Sequence, residues 1–330
     1  MKGNGSYRRL STTVFLFYFA AGAKVPLLSL YLSETLGFSG VQIGTILATS
    51  ALSALVSPIV VSFIADRLLP VERLLSVAQL VSGGLMLLLT TRSQYVPFLL
   101  LFLLYQAIFG PGIAMTNSII FHNVPDAARR YGGIRKWGTI GWMSAGWFFG
   151  LFWLNTPVGV VGHALTVSGV VSVALGFFAL TLPAPKTDAP RRSELMPRAA
   201  VKTFFRSDVL IVAFMGLLIK VVGRYYYFGA GPFLKSLGIP EASIMPLMTI
   251  GQVSEALALA FMGFLIVRVS YRTLFALGAG MELLRFISFI LGDLSPFYVI
   301  GLVCHGLAFA FFISTAFVYI NSFTNEESRA

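Results

Sequence analysis

Cysteine is nearly absent from this 330-residue chain, charge is scarce and histidine is rare. The single cysteine, Cys304, lies inside an apolar run, so neither a disulfide framework nor a thiolate metal site can be built. Three histidines, none at a zinc-binding spacing, and the lack of a phosphate-binding glycine loop give no reason to expect a metal or other cofactor. Charged residues are 11% of the chain against 57% hydrophobic, a balance outside that of soluble globular domains. In place of polar surface the chain has apolar runs of about 20 residues, each long enough to cross a hydrocarbon core of about 30 Å as a helix. Such continuous runs exclude a β-barrel, whose strands alternate in polarity.

The sequence predicts an all-α integral membrane protein with ten spans. They are Leu10–Ser33, Val41–Ala65, Leu74–Thr91, Pro97–Phe121, Lys136–Leu154, His163–Leu182, Val209–Leu234, Ser243–Val267, Thr273–Leu291 and Pro296–Phe323. The first follows Lys2, Arg8 and Arg9 but has no small-residue cleavage site, so it reads as a retained helix and not a signal peptide. With the N-terminus in the cytoplasm, 18 Lys and Arg fall in inner loops and only Arg92 and Lys235 in outer ones. That asymmetry accounts for most of the +11 charge without a nucleic-acid partner, and it places the protein in a cell membrane, the bacterial inner membrane by preference.

A proline-rich and basic stretch, residues 183–208, divides the chain into an N-terminal six-helix bundle, 1–182, and a C-terminal bundle, 209–330. At an offset of 201 residues, Gly22 matches Gly223, Leu36-Gly37 match Leu237-Gly238, Ile43 matches Ile244, Ser53 matches Ser254 and Arg67 matches Arg268. Spans one and two thereby correspond to seven and eight. Spans five and six have no counterparts before Ala330, so the repeat predicts two further helices, twelve in all, unless another subunit fills the gap.

The strings at the inner ends of spans two and eight, SFIADRLLPVERLL at Ser62–Leu75 and GFLIVRVSYRTL at Gly263–Leu274, resemble the signature loops of the major facilitator superfamily. A sharper match, YGGIRKWGTIGW at Tyr131–Trp142, resembles the branch of phenylpropionate permeases and nucleoside:proton symporters, as do Gly22, Pro26, LGFSGVQIG at Leu36–Gly44, Glu255 and His305-Gly306. The resemblance implies two bundles that rock in alternating access, with Asp66, Arg67, Arg73, Arg135 and Arg268 as gating residues. Spans one, four, seven and ten would line the cavity. Lys24 has no assigned role in that family.

Lys24, Lys220, Arg224, Glu255, Glu282 and Arg285 lie within spans, with His305 as a seventh ionisable group. Each charge at a helix centre costs about 2.5–3.5 kcal/mol, so these groups must pair or meet water. Glu282 and Arg285 are three residues apart and read as a local structural ion pair. Lys220 and Arg224 share a face, and Glu255 lies at a similar depth, where it can face them as the proton-coupling acid. Lys24 lies between Phe17 and Tyr31 on one stripe of span one. Lys24, Gln106, Lys220, Arg224, Tyr227 and His305 are the predicted solute-binding residues. Four cations against two acids predict an anionic, aromatic solute carried with a proton by a monomer; a nucleoside or sugar symporter, or an efflux carrier of the same fold, is the alternative. An intramembrane protease built on Gly37-Phe38-Ser39-Gly40 lacks a nearby histidine base, so no enzyme activity is expected.

Overall fold

The computed structural model describes residues 2–50, 69–124, 127–156, 159–183, 205–291 and 295–323, and among them every regular element is helical. In chain order these are α1 (Lys2–Leu30), α2 (40–50), α3 (Val71–Leu89), α4 (Tyr95–Phe109), α5 (Gly112–Asn123) and α6 (Ala127–Trp147). There follow α7 (His163–Ala179), α8 (Ser207–Ser236), α9 (Glu241–Arg268), α10 (Tyr271–Ile290), α11 (Ser295–Ala308) and α12 (Thr315–Ser322). Six helical stretches among the described residues are long and apolar enough to cross a membrane, and α7 is a shorter apolar helix. Asp66 and Arg67, with half of the Ser62–Leu75 string, lie outside the described residues.

Two helices depart from the predicted spans for local reasons. The fourth span is broken between α4 and α5 at Gly110-Pro111, where proline supplies no backbone N–H to continue the ladder. The fifth starts at Ala127, well before Lys136, because the polar string Ala127–Arg135 is helical although not apolar. Wide π-helical turns follow α1 at Tyr31–Thr35 and α6 at Phe148–Phe152, and another joins α11 to α12 at Phe309–Ser314.

A side-chain cap fixes the start of α2. Ser39 and Gln42 form a reciprocal capping box at the start of α2: the Gln42 backbone N–H donates to Ser39 Oγ at 3.3 Å and Ser39 N–H donates to Gln42 Oε1 at 2.9 Å. The serine of the Gly-x-Ser-Gly string is thus a helix cap. Gly37 and Gly238, paired by the 201-residue offset, both adopt positive φ, 67° and 79°, where each reverses the chain after a long helix.

The chain forms two compact units. One comprises Met1–Pro125 with Phe152–Leu195, the other Asp126–Leu151 with Met196–Arg329, so α6 clusters with the later helices. In the first unit α7 packs against α3 and α1. A Cβ on Gly83 of α3 would stand 2.8 Å from the Gly169 carbonyl oxygen of α7, so the missing side chain is what lets the two backbones approach. Ser76 Oγ donates to the Gly176 carbonyl at 2.7 Å and Ser168 Oγ to the Ala20 carbonyl at 2.7 Å, which satisfies buried polar groups across the same helices. In the second unit α9 packs against both α6 and α11, and α10 against α11.

Candidate functional site

Close packing around α9 builds a charged cluster inside the second unit. Gly132 of α6 lies so near the Leu259 carbonyl, and Gly306 of α11 so near the Gly251 carbonyl, that neither position has room for a Cβ. Glu255 lies midway between Gly251 and Leu259, one turn from each, so its side chain emerges between neighbouring helices and is only 8% exposed. Thr139 Oγ1 donates to Glu255 Oε1 at 2.8 Å, and Arg135 Nη2 stands 3.6 Å from the same oxygen. Arg135 Nη1 also donates to Thr139 Oγ1 at 3.4 Å, so the threonine hydroxyl accepts from the cation and donates to the anion.

Phe309, first residue of the π-helical turn, carries two cations over its ring, with Arg135 Cζ 5.3 Å and Lys220 Nζ 4.9 Å from the centroid. Lys220 is exposed, within electrostatic range of Glu255, and shares its face of α8 with Gly216 and Gly223. A Cβ on Gly223 would meet nothing within 4 Å, so space is open beside the lysine. Farther along α9, Trp147 Nε1 donates to Thr249 Oγ1 at 2.9 Å, and Gln252 is buried. The cluster therefore offers a carboxylate, a guanidinium, an ammonium and hydroxyls beside an aromatic face.

A second network in the same unit ties α10 to α11. Arg285 Nη2 donates to Glu282 Oε1 at 2.6 Å and Nη1 meets His305 Nδ1 at 2.5 Å, all three side chains being buried. A guanidinium only donates, so Nδ1 is the acceptor and the ring proton sits on Nε2. Tyr226 of α8 stacks on His305 with centroids 4.4 Å apart. The predicted solute-binding histidine is thus held in a packed array.

In the first unit, Lys24 is 2% exposed and its Nζ lies 3.9 Å from the Phe109 centroid and 5.1 Å from that of Tyr105. The sequence placed it between Phe17 and Tyr31, yet seven residues are about 10 Å along a helix, too far for a cation–π contact. Phe17 instead stacks on Phe109 at 4.8 Å, at the end of a ladder through Tyr105, Phe102 and Phe98. Gln106, one residue from Tyr105, is half-buried.

Among the expected gating residues, Arg73 and Arg268 are exposed, the latter with its guanidinium 3.9 Å from the Phe264 ring centroid. Arg135 is 4% exposed and contacts Glu255. The side chains of Arg224 and Tyr227 lie outside the described residues. Thr139 and Phe309 are the two contributors that sequence reasoning missed. Their signal was the Arg135-x-x-x-Thr139 spacing, which puts both on one face of α6, and the aromatic one turn after His305.

Comparison with known proteins now bears on this geometry. The chain is 30% identical to YegT of Escherichia coli (strain K12), over 95% of this chain and 76% of that protein. It is 24% identical to the xanthosine permease of the same organism, over 98% of this chain and 81% of that one. A crystal structure of a mutant of the nucleoside transporter NupG superposes with a TM-score of 0.76 at 23% identity, covering 98% of this chain and 84% of the other. These relatives are named for nucleosides, whereas counting charges suggested an anionic aromatic solute; Arg135, which contacts Glu255, adds a further buried cation to that count. The family model described as Nucleoside H+ symporter matches residues 5–330. The chain belongs to that family, and it is a multi-pass membrane transporter of the major facilitator fold, not an enzyme.

Proposed function

We propose that this protein carries a nucleoside into the cell together with a proton, by alternating access, and that Glu255 is the group that carries the proton. The observation behind this reading is a carboxylate enclosed within a membrane-spanning unit and held by Arg135 and Thr139. A buried carboxylate with a cation at hand can exist in either protonation state, and a change in its surroundings shifts the balance between them. Arg135 and Lys220 supply donors for sugar hydroxyls and base carbonyls, and Phe309 supplies an apolar face. The names of the relatives, nucleoside transporter and xanthosine permease, point to the same class of solute. The N-terminus lies in the cytoplasm on the basic asymmetry of the loops.

Glu255→Gln is expected to abolish accumulation of labelled nucleoside driven by a pH gradient in proteoliposomes, while counterflow exchange continues, because an amide cannot carry the proton. Normal accumulation by Glu255→Gln against a concentration gradient would overturn the assignment.

A further inference from the structure

We propose that Glu72, at the start of α3, is a second proton-binding site of this transporter, filled while the end of α5 covers it and emptied when α5 swings away. The site itself stands apart from the nucleoside-symport reading, and its effect on transport rests on that reading. Glu72 belongs to the Ser62–Leu75 string, where Arg73 beside it is exposed but Glu72 is only 1% exposed. Its donors are its own backbone N–H and the Asn123 side chain at the end of α5, whose Nδ2 stands a long 3.4 Å from Oε1. The same Nδ2 donates more closely to the Ile119 carbonyl, at 3.0 Å. The second carboxyl oxygen, Oε2, is enclosed and accepts no hydrogen bond.

An ionised carboxylate has about four acceptor sites to satisfy, and enclosing it with one oxygen bare is costly. The protonated group is neutral and avoids most of that cost. Arg73 from α3 and His122 from α5 are the charged or titratable side chains that face Glu72 among the described residues. Both are exposed, so water and salt screen their pull on an anion. Of the other helices packed on α3, α4 has no acidic or basic residue. The only one in α7 is His163, at the end away from the Ser76–Gly176 contact that lies near Glu72.

The cover is jointed. α5 is 12 residues long, which is about 18 Å, and it meets α4 at the Gly110-Pro111 break. A tilt of about 10° at that break carries Asn123 about 3 Å from its place, enough to admit water to the carboxyl. A hydrated carboxyl gives up its proton at neutral pH. Proton binding and closure of α5 therefore favour each other. On the basic asymmetry of the loops this end of α3 faces the cytoplasm, so an acid cytoplasm holds α5 in place and slows a cycle that needs it to move.

The test compares the 330-residue protein with Glu72→Gln, whose amide imitates the protonated carboxyl; Glu72→Met takes its place if the amide variant does not fold. At pH 7 the infrared spectrum of wild type should contain a protonated-carboxyl band that the variant lacks. A free glutamate ionises above about pH 4.3, so the unfolded chain has released a proton that the fold keeps. Wild type should accordingly lose thermal stability relative to the variant as pH rises from 5 to 8. In proteoliposomes at equal pH on both faces, counterflow of labelled inosine or uridine should match in the two proteins at pH 5.5, and wild type should be severalfold faster at pH 8. Any effect of pH on Glu255 is common to both. An identical infrared band, parallel stability profiles, or a rate ratio that does not change with pH each overturns the inference. Failure of wild type to exchange either nucleoside overturns the symport reading instead, and the infrared and thermal measurements still decide the proton site.

Discussion

The two compact units are packed by the same means but differ in what they hold. The first joins α3 to α7 through glycine contacts and lines its interior with the ring ladder from Phe98 to Phe109, on which Lys24 rests. The second also brings backbones together at glycines, and the ion pairs Arg135–Glu255, Arg206–Asp208 and Arg285–Glu282 all belong to it. Dispersion, small residues and side-chain hydrogen bonds between helices all hold the first unit together. Buried charges cost insertion energy and call for a further reason, and at Glu255 the proposed reason is proton coupling.

Removing the close approach should have the largest effect. Gly306→Ala sets a methyl group against the Gly251 carbonyl, and backbone is slow to yield, so little folded, monodisperse protein should be recovered after detergent extraction. Gly223→Ala, where a Cβ meets open space, should be recovered at wild-type yield. Equal yields of the two variants would mean that glycine contacts do not hold the second unit together.

Glu282→Gln sharpens the contrast between packing and charge. It leaves the buried Arg285 guanidinium without its carboxylate, a change that costs about 3–5 kcal/mol in comparable sites. Thermal unfolding of purified protein should show a clearly lowered midpoint. Replacing Glu282 and Arg285 together with leucine should restore most of it, because two well-packed apolar side chains avoid the unpaired charge.

The smallest effect is expected at the surface. Arg206 donates to both Asp208 oxygens at 2.9 and 3.1 Å and Tyr319 Oη donates at 2.9 Å; the Arg206 bonds above all hold the Asp208 carboxyl well below the usual carboxylate range. A depressed acid stabilises the fold at pH above its unfolded value and loses that contribution as pH falls through the folded one. Asp208→Asn should therefore lower the unfolding midpoint slightly at pH 7, and the gap to wild type should narrow as the medium is acidified. Because the pair is exposed, the shift should be small and salt-sensitive.

Helix existence was legible from hydropathy, and the Glu282–Arg285 contact from a spacing of three residues, because both depend on local chain geometry. The partner of Glu255 was not. Counting residues along a helix gives depth, and depth alone offered Lys220; Arg135, 120 residues away in sequence, reaches the carboxylate because Gly132 sets α6 directly against α9. Arg135 lay just outside the predicted fifth span because the apolar run starts after it, whereas the helix starts two turns earlier. The contact of His305 with Arg285 was not legible either, since nothing in sequence announces that Arg285, on the neighbouring helix, will claim its Nδ1.

The π-helical turn at Phe309–Ser314 has a consequence for how relatives should be aligned. A wide turn houses one residue more than an α-helical turn, so a relative with one residue fewer there can close the turn to plain α-helix and keep every later side chain on its original face. A one-residue gap is therefore tolerable within 309–314, beside the ring that carries Arg135 and Lys220. The same gap within α9 would turn everything after it by about 100° and carry Glu255 or its neighbours out of register.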